Sequence, residues 1–310
     1  MAKVNQKDTI DYDSIVVREP SVFERMWQYR YFYLMFIPVA LVLFIFFYWP
    51  MLGVRYAFST YKLKQITLRL GPDYSTGLGN FKRLFGADPF IGALRNTLVL
   101  SIVNLILATV LTVVIALLLN ELQHQWSKKI VQTVLYLPHF LSWVVAASIF
   151  MLILSAGTDA TGQDTANMGF INALLCKVGI LDKPIDFLTE SKCWRSVWYI
   201  MNRWKETGWG TIIFLAALAG VDVEQYEAAI VDGASRFQQL IYITLPAIMG
   251  TVVTMFILRM GSVLDTGFEQ IILMQNDLNR ITSETFDTYV YQIGRVQGNY
   301  GYSTAVSLFK

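Results

Sequence analysis

Five long apolar runs constrain this chain more than any other feature. A bilayer core of about 30 Å is crossed by about 20 mostly apolar residues wound as a helix, whose backbone groups then bond one another. The first run covers 31–56 and reads YFYLMFIPVALVLFIFFYWPMLGVRY, with Pro38 expected to bend it. The second covers about 90–119 and the third about 130–154. The fourth, about 195–219, carries Asn202, Arg203, Lys205 and Glu206 in its first half; the fifth, about 246–274, carries Arg259, Asp265 and Glu269. A sixth opens near Tyr300. About ten residues to Lys310 reach only about 15 Å, half a bilayer, so the polypeptide is expected to continue beyond that point.

Composition closes off the soluble classes. Of 310 residues 55% are hydrophobic and 15% charged, against about 25% charged in a typical soluble domain. A formal charge of +2 offers no basic field for nucleic acid, and no nucleic-acid partner is expected. Nothing fits a phosphate-binding G-x-x-x-x-G-K-[ST] loop, and no nucleophile elbow occurs, so the chain is not an ATPase or an enzyme by itself. No metal site is expected, because no Cys/His spacing suits one; His124 and His139 look isolated and structural.

The front of the chain has no apolar signal core. Residues 1–30 read as a cytoplasmic tail ending in an interfacial helix, started by Ser21 with Glu24 three residues later. Phe23, Met26, Trp27 and Arg30 would seat that helix at the membrane surface. Residues 31–310 form the transmembrane domain. Charge leaves its direction open: with the N-terminus inside, eight basic residues face the cytoplasm and twelve the outside, against the usual positive-inside bias.

Between the fourth and fifth runs lies VDVEQYEAAIVDGASRFQQLIYITLPAI. Asp222 with Gln225 suggests a helix start of the capping-box kind, and Gly233 after Asp232 a left-handed C-terminal cap. A second short helix would start at Ser235, and Pro246 would open the fifth span. Two short helices joined at a glycine make a rigid knob on the membrane face. Ala228, Ala229 and Ala234 would keep one surface low enough for a partner groove.

The spacing of Glu227-Ala228-Ala229, Gly233, Ile243 and Leu245-Pro246 matches the EAA signature of ABC-importer permeases, at seven positions across twenty residues. Trp204-Lys205, Gly208-Trp209, the AALAGVD run, GLGNFKRLF, ALRNTLVLS, YLPHFLSWVV and GFEQIILM resemble the carbohydrate-importer branch associated with oligo- and polysaccharide uptake. That resemblance implies an all-α, six-helix type I permease bundle. It also implies a second related permease, two ABC ATPase subunits that bind Mg-ATP, an extracellular solute-binding protein and a carbohydrate cargo. It places the loop 221–245, and so the N-terminus, in the cytoplasm of a bacterial cell with the bundle in its membrane lipid. It assigns ATPase coupling to Glu227, Ala228, Ala229, Asp232, Gly233, Ala234, Ser235, Arg236, Leu245 and Pro246.

Ionisable groups inside spans are costly and often mark a transport path. Trp204 and Trp209 offer ring faces for sugars, and Asn202 offers hydrogen bonds; structural or gating roles are the alternative. Lys205 and Glu206 point to different helix sides and need not pair, whereas Arg203 and Glu206 could. In the fifth span Arg259, Asp265, Phe268 and Glu269 would touch the pathway, or else pair with the partner permease. Asp265 and Glu269 would share a face. Cys176 and Cys193 both fall in the expected outer segment, where a disulfide can persist. Two other readings remain: an ion-coupled secondary transporter using Asp265 and Glu269, or a membrane-embedded glycan enzyme using Asp73 or Asp88.

Overall fold

The structure is a computed structural model describing residues 21–59, 77–157 and 168–310. The expected tail before residue 21 and Asp73 lie outside the described residues. Backbone contacts divide the chain into two units, 1–55 and 56–310.

In the first unit, helix α1 (Val22–Gln28) begins at Ser21. The Ser21 Oγ accepts the Glu24 N–H, and Glu24 Oε2 accepts the Ser21 N–H at 2.8 Å. Arg30 lies over the rings of Trp27 and Tyr31, an aromatic-cation cluster of the kind found where chains enter a bilayer. Helix α2 (Arg30–Phe58) runs 29 residues at mean hydropathy 2.3. It continues through Pro38 and includes a π-turn at Phe44–Tyr48.

The second unit is organised on helices α4 (Asp88–Asn120) and α8 (Ser191–Ala219), the most extensively packed pair among the described residues. Around them stand α3 (Gly79–Phe85), α5 (Gln125–Phe140), α6 (Trp143–Leu154), α7 (Phe170–Lys177), α9 (Val223–Val231) and α10 (Arg236–Met260). Helices α11 (Phe268–Met274), α12 (Arg280–Ser283), α13 (Phe286–Tyr291) and α14 (Tyr300–Phe309) follow.

Apolar packing gathers in three clusters. Leu100, Phe150, Trp194, Trp198 and Ile271 join α4, α6, α8 and α11. Leu84, Phe90, Phe286 and Tyr302 join α3, α4, α13 and α14. Farther along α4 and α8, Val113, Ala116, Phe214 and Leu218 close on Ile248 of α10. Polar clamps fix the irregular segments between helices. Asn96 donates to the carbonyls of Ile281 and Glu284 and accepts from Arg195 at 2.7 Å. Asn172 ties α7 to the carbonyls of Leu154, Ser155 and Ile185.

Two expectations about the spans need correction. The third run is not one helix: α5 and α6 meet at 102°. Pro138 sits in a tight turn at Leu137–Phe140, Leu141 is extended, and Ser142 starts α6 by accepting the Val145 N–H. The fifth run also breaks. Helix α10 stops at Met260, and Gly267 at φ +78° starts the separate helix α11. Asp265 therefore lies in the intervening turn, accepting the Gly267 N–H, and shares no helix face with Glu269. Pro246 does stand in the first turn of the regular α-helical stretch Leu245–Met260, but helical chain already precedes it, since α10 as a whole begins ten residues earlier, at Arg236. A π-turn at Leu240–Thr244 directly before it absorbs the proline's missing donor and ring volume.

The possible Cys176–Cys193 disulfide is not formed in this structure. Cys176 on α7 and Cys193 in the first turn of α8 are both free thiols. The α7 segment is fixed by the Asn172 hydrogen bonds rather than by sulfur.

Candidate functional site: a coupling knob and a mid-span cavity

The knob is built from its caps. Asp222 starts α9 by accepting the Glu224 N–H at 3.0 Å; the reciprocal partner expected at Gln225 is not used. At the other end the Ala234 N–H reaches the Ala229 carbonyl and the Gly233 N–H reaches that of Ile230. This pair is the Schellman pattern, which requires a left-handed residue at its centre. Gly233 supplies it at φ +77°. A Cβ there would meet nothing within 4 Å, so the glycine serves conformation and not space.

Ser235 then restarts the helix with a capping box to Gln238. The Tyr226 hydroxyl meets Thr244 Oγ1 at 2.9 Å and Gln239 Nε2 donates to the Ala234 carbonyl, pinning α9 against α10. With the Gln123 amide oxygen turned toward it, Arg236 is held at 2.6 Å through Nη2. Ala229, Ala234 and Leu245 are half-buried inside this joint, while Glu227, Ala228, Asp232 and Pro246 face outward. The low alanine surface is thus divided: Ala229 and Ala234 let α9 sit close to α10, and Ala228 remains for a partner. Val223, Ile230, Val231 and Phe237 are exposed around it.

The second feature is a cavity of about 470 Å³ between α4, α8, α10 and the break before α11. It lies along α4 and α8 between the first and third apolar clusters. Helical spacing puts Ser101, Asn104 and Ala108 of α4 on one wall, and Asn202, Glu206 and Trp209 of α8 on another. Arg203, Arg259, Asp265 and Gln270 also line it. Asn202 Nδ2 donates to Gln270 Oε1 at 2.5 Å, and Gln270 Nε2 to the Thr266 carbonyl. Among the described residues eight buried side chains have an unpaired polar atom; Ser101, Asn104, Trp198, Arg203, Arg259 and Thr266 are six of them, and all six line this cavity. Buried polar groups normally find partners, so unmet hydrogen-bonding capacity is concentrated in this cavity.

At its rim a charged cluster holds the break between α5 and α6. Lys205, 5% exposed, donates to the His139 carbonyl at 2.7 Å, lies over the Trp143 ring and approaches Glu206 at 3.4 Å. Glu206 Oε2 lies 3.0 Å from His139 Nδ1, and the His139 ring stacks on Trp209 at 4.5 Å. Adjacent Lys205 and Glu206 do approach as a pair, and Arg203 makes no ion pair with Glu206. His139 is accordingly not isolated. Replacing Lys205 with Met leaves the His139 carbonyl without its donor and Glu206 without its cation. A loss of about 1–3 kcal/mol is expected, read as earlier thermal unfolding of the detergent-purified complex.

Of the expected pathway residues, the cavity gathers Asn202, Glu206, Trp209, Arg259 and Asp265. Trp204 packs on Phe150, Phe268 on Tyr291, and Glu269 is exposed away from it. Ser101, Asn104, Trp143 and Gln270 were missed. The i, i+3, i+7 spacing of Ser101, Asn104 and Ala108 on an otherwise apolar helix was the available signal.

The structure is a helical bundle with apolar spans, a polar-lined internal cavity and an exposed capped helix between its fourth and fifth runs. The model of the family described as binding-protein-dependent transport system inner membrane component matches residues 108–309, and the chain belongs to that family. Protein LplB of Bacillus subtilis (strain 168) is 44% identical over 281 residues, covering 91% of this chain and 84% of that protein. The polygalacturonan/rhamnogalacturonan transport system permease protein YteP of the same strain is 41% identical, covering 92% and 84%. A chain in the crystal structure of a bacterial alginate ABC transporter, in complex with an alginate pentasaccharide-bound periplasmic protein, superposes with a TM-score of 0.81. It is 33% identical and the match covers 93% of this chain and 91% of that one. The fold is thus the type I permease bundle. The chain is a membrane transport component rather than an enzyme, working with a solute-binding protein and with ATPase subunits that hydrolyse the nucleotide.

Proposed function

We propose that this chain is one of two related permease subunits of an ATP-driven importer, carrying an oligosaccharide across the bacterial cytoplasmic membrane with its N-terminus and coupling knob inside. The observation that carries the reading is the knob itself: a capped, pinned helix pair that leaves Glu227, Ala228, Val223, Ile230 and Val231 facing outward at the position of the EAA signature. Apolar side chains in that position suit a groove in a soluble ATPase subunit, and Glu227 adds a charged contact at its edge. Mg-ATP bound by the paired ATPases would draw the two subunits together and move α9. Because Tyr226 and Thr244 fasten α9 to α10, that displacement would pass along α10 to Arg259 and the cavity wall, alternately opening the path to each side. Sugar hydroxyls fit the Asn202–Gln270 amides and the Trp209 ring, and weak individual bonds let the cargo leave. YteP belongs to a polygalacturonan/rhamnogalacturonan transport system, and the solved transporter imports alginate, in agreement with this cargo class.

The test is co-purification from mildly solubilised membranes. Wild type is expected to bring down a P-loop ATPase, and Glu227→Lys to lose at least tenfold of it while retaining the second permease. An ATPase yield unchanged by the variant removes the knob from coupling. Recovery of no ATPase by wild type, with uptake driven by a proton gradient, would favour the ion-coupled alternative.

A further inference from the structure

The cavity holds more positive charge than its own carboxylates neutralise. Four charged side chains line it: Arg203, Arg259, Glu206 and Asp265. Glu206 is already engaged by Lys205 and His139. Asp265 stands exposed in the turn before α11, where it accepts the Gly267 N–H. Neither guanidinium makes an ion pair or hydrogen bond among the described residues, and Arg203 Nε and Arg259 Nη1 are buried polar atoms without a partner. Arg259 is set in place by close packing: its Nη2 would lie 3.2 Å from a Cβ on Gly210, beside Thr112. Arg203 feels the like charge of Arg259 and, with opposite sign, that of Glu206, which Lys205 and His139 already share.

Two unpaired guanidiniums inside a membrane span are costly. Their planar forks match carboxylate oxygens better than any hydroxyl can. The remaining lining has a different chemistry: Asn104 and Ser101 present unpaired oxygens suited to hydroxyl donors, and Trp209 offers ring surface. A ligand answering all of these carries a carboxylate, several hydroxyls and an apolar ring face.

We propose that the cavity accepts a uronic-acid unit, with Arg203 and Arg259 as the residues that bind its carboxylate; this rests on the carbohydrate-import reading above. The cargo is then an acidic oligosaccharide, and the arginine pair selects against neutral sugars of the same size. Release toward the cytoplasm requires α10 to carry Arg259 away from Arg203, which separates the two halves of the anion site.

The experiment uses the purified complex of both permeases and the ATPases, without the solute-binding protein, so that selection by the latter does not enter. Tri-galacturonic acid and its fully methyl-esterified form, identical except for carboxylate charge, are titrated while tryptophan fluorescence is followed. The free acid is expected to bind at least tenfold tighter than the ester, with the difference shrinking as salt rises. Arg203→Gln and Arg259→Gln should each remove most of that difference, weakening the acid far more than the ester, and Arg259→Lys should restore part of it. Equal binding of acid and ester by wild type, or full discrimination by both Gln variants, overturns the inference and leaves the import reading standing. Gln variants that no longer assemble with the second permease also overturn it, because the guanidiniums would then serve the subunit contact. Binding of neither saccharide overturns the inference and the carbohydrate reading together.

Discussion

Gly208→Val is expected to abolish a stable complex. Gly208 is buried on α8, where a Cβ would clash with the carbonyl oxygen of Leu135 and lie 2.6 Å from its carbonyl carbon. The obstacle is the backbone of α5, which cannot swing aside as a side-chain end would. Overpacking against ordinary side chains costs about 1–3 kcal/mol, and a clash with helix backbone is expected at or above the top of that range. The same displacement would pull the His139 carbonyl from Lys205, since both contacts join α5 to α8. Size-exclusion profiles after a heating series should show the variant losing its monodisperse peak many degrees below wild type. Gly250→Ala is the matched control. A Cβ at Gly250 on α10 meets nothing within 4 Å, and alanine is the better helix former by about 1 kcal/mol. A Gly208→Val complex as heat-resistant as wild type would show that α5 and α8 do not approach as closely as described.

Gly233→Val should leave the complex assembled and uncouple it. With open space around its Cβ position, the substitution meets no steric neighbour, only the left-handed backbone at φ +77°. That conformation costs a β-carbon residue about 1–2 kcal/mol, and a β-branched one more. The cheapest escape is to abandon the Schellman turn, which releases α9 from its fixed angle to α10. Cargo-stimulated ATP hydrolysis is expected to fall at least tenfold, with little change in the heat resistance of the bundle. Gly233→Asn, which tolerates the left-handed region, should recover much of the activity. An Asn variant as inactive as the Val variant would mean that the position matters for contact rather than conformation.

The two predictions fall on glycines of opposite kinds, and the sequence distinguishes them unequally. Gly233 is legible because the local grammar surrounds it: Asp222 starts a helix, an apolar pattern follows, and Ser235 restarts it. Gly208 sits in a helix between Thr207 and Trp209 with nothing local to mark it. Only the approach of α5, seventy-three positions away, gives it a role. The same division runs through the cavity. Asn202, Glu206, Trp209 and Arg259 could be suspected from polarity inside an apolar run, since isolated polar groups in a span need a reason. Gln270 and His139 could not be placed, because each lies beside a helix break. Hydropathy carries the fifth run straight through Asp265 to Met274. Gly261 and Gly267 with an Asx-type turn at Asp265 ended the helix instead, moving Asp265 and Glu269 onto different elements.

The chain's sequence by itself determined that it spans a membrane, that it is helical, and that a capped knob lies between its fourth and fifth runs. These follow from interactions within about one helical turn and from the bilayer's demand that every backbone group be satisfied along the segment. Tertiary structure alone decided that Lys205 holds the His139 carbonyl, that α5 and α6 break at 102°, and that Arg203 and Arg259 face one cavity unpaired. Those facts depend on which helix faces meet, and a helix's own hydropathy is almost silent about that once lipid and protein interior are equally apolar.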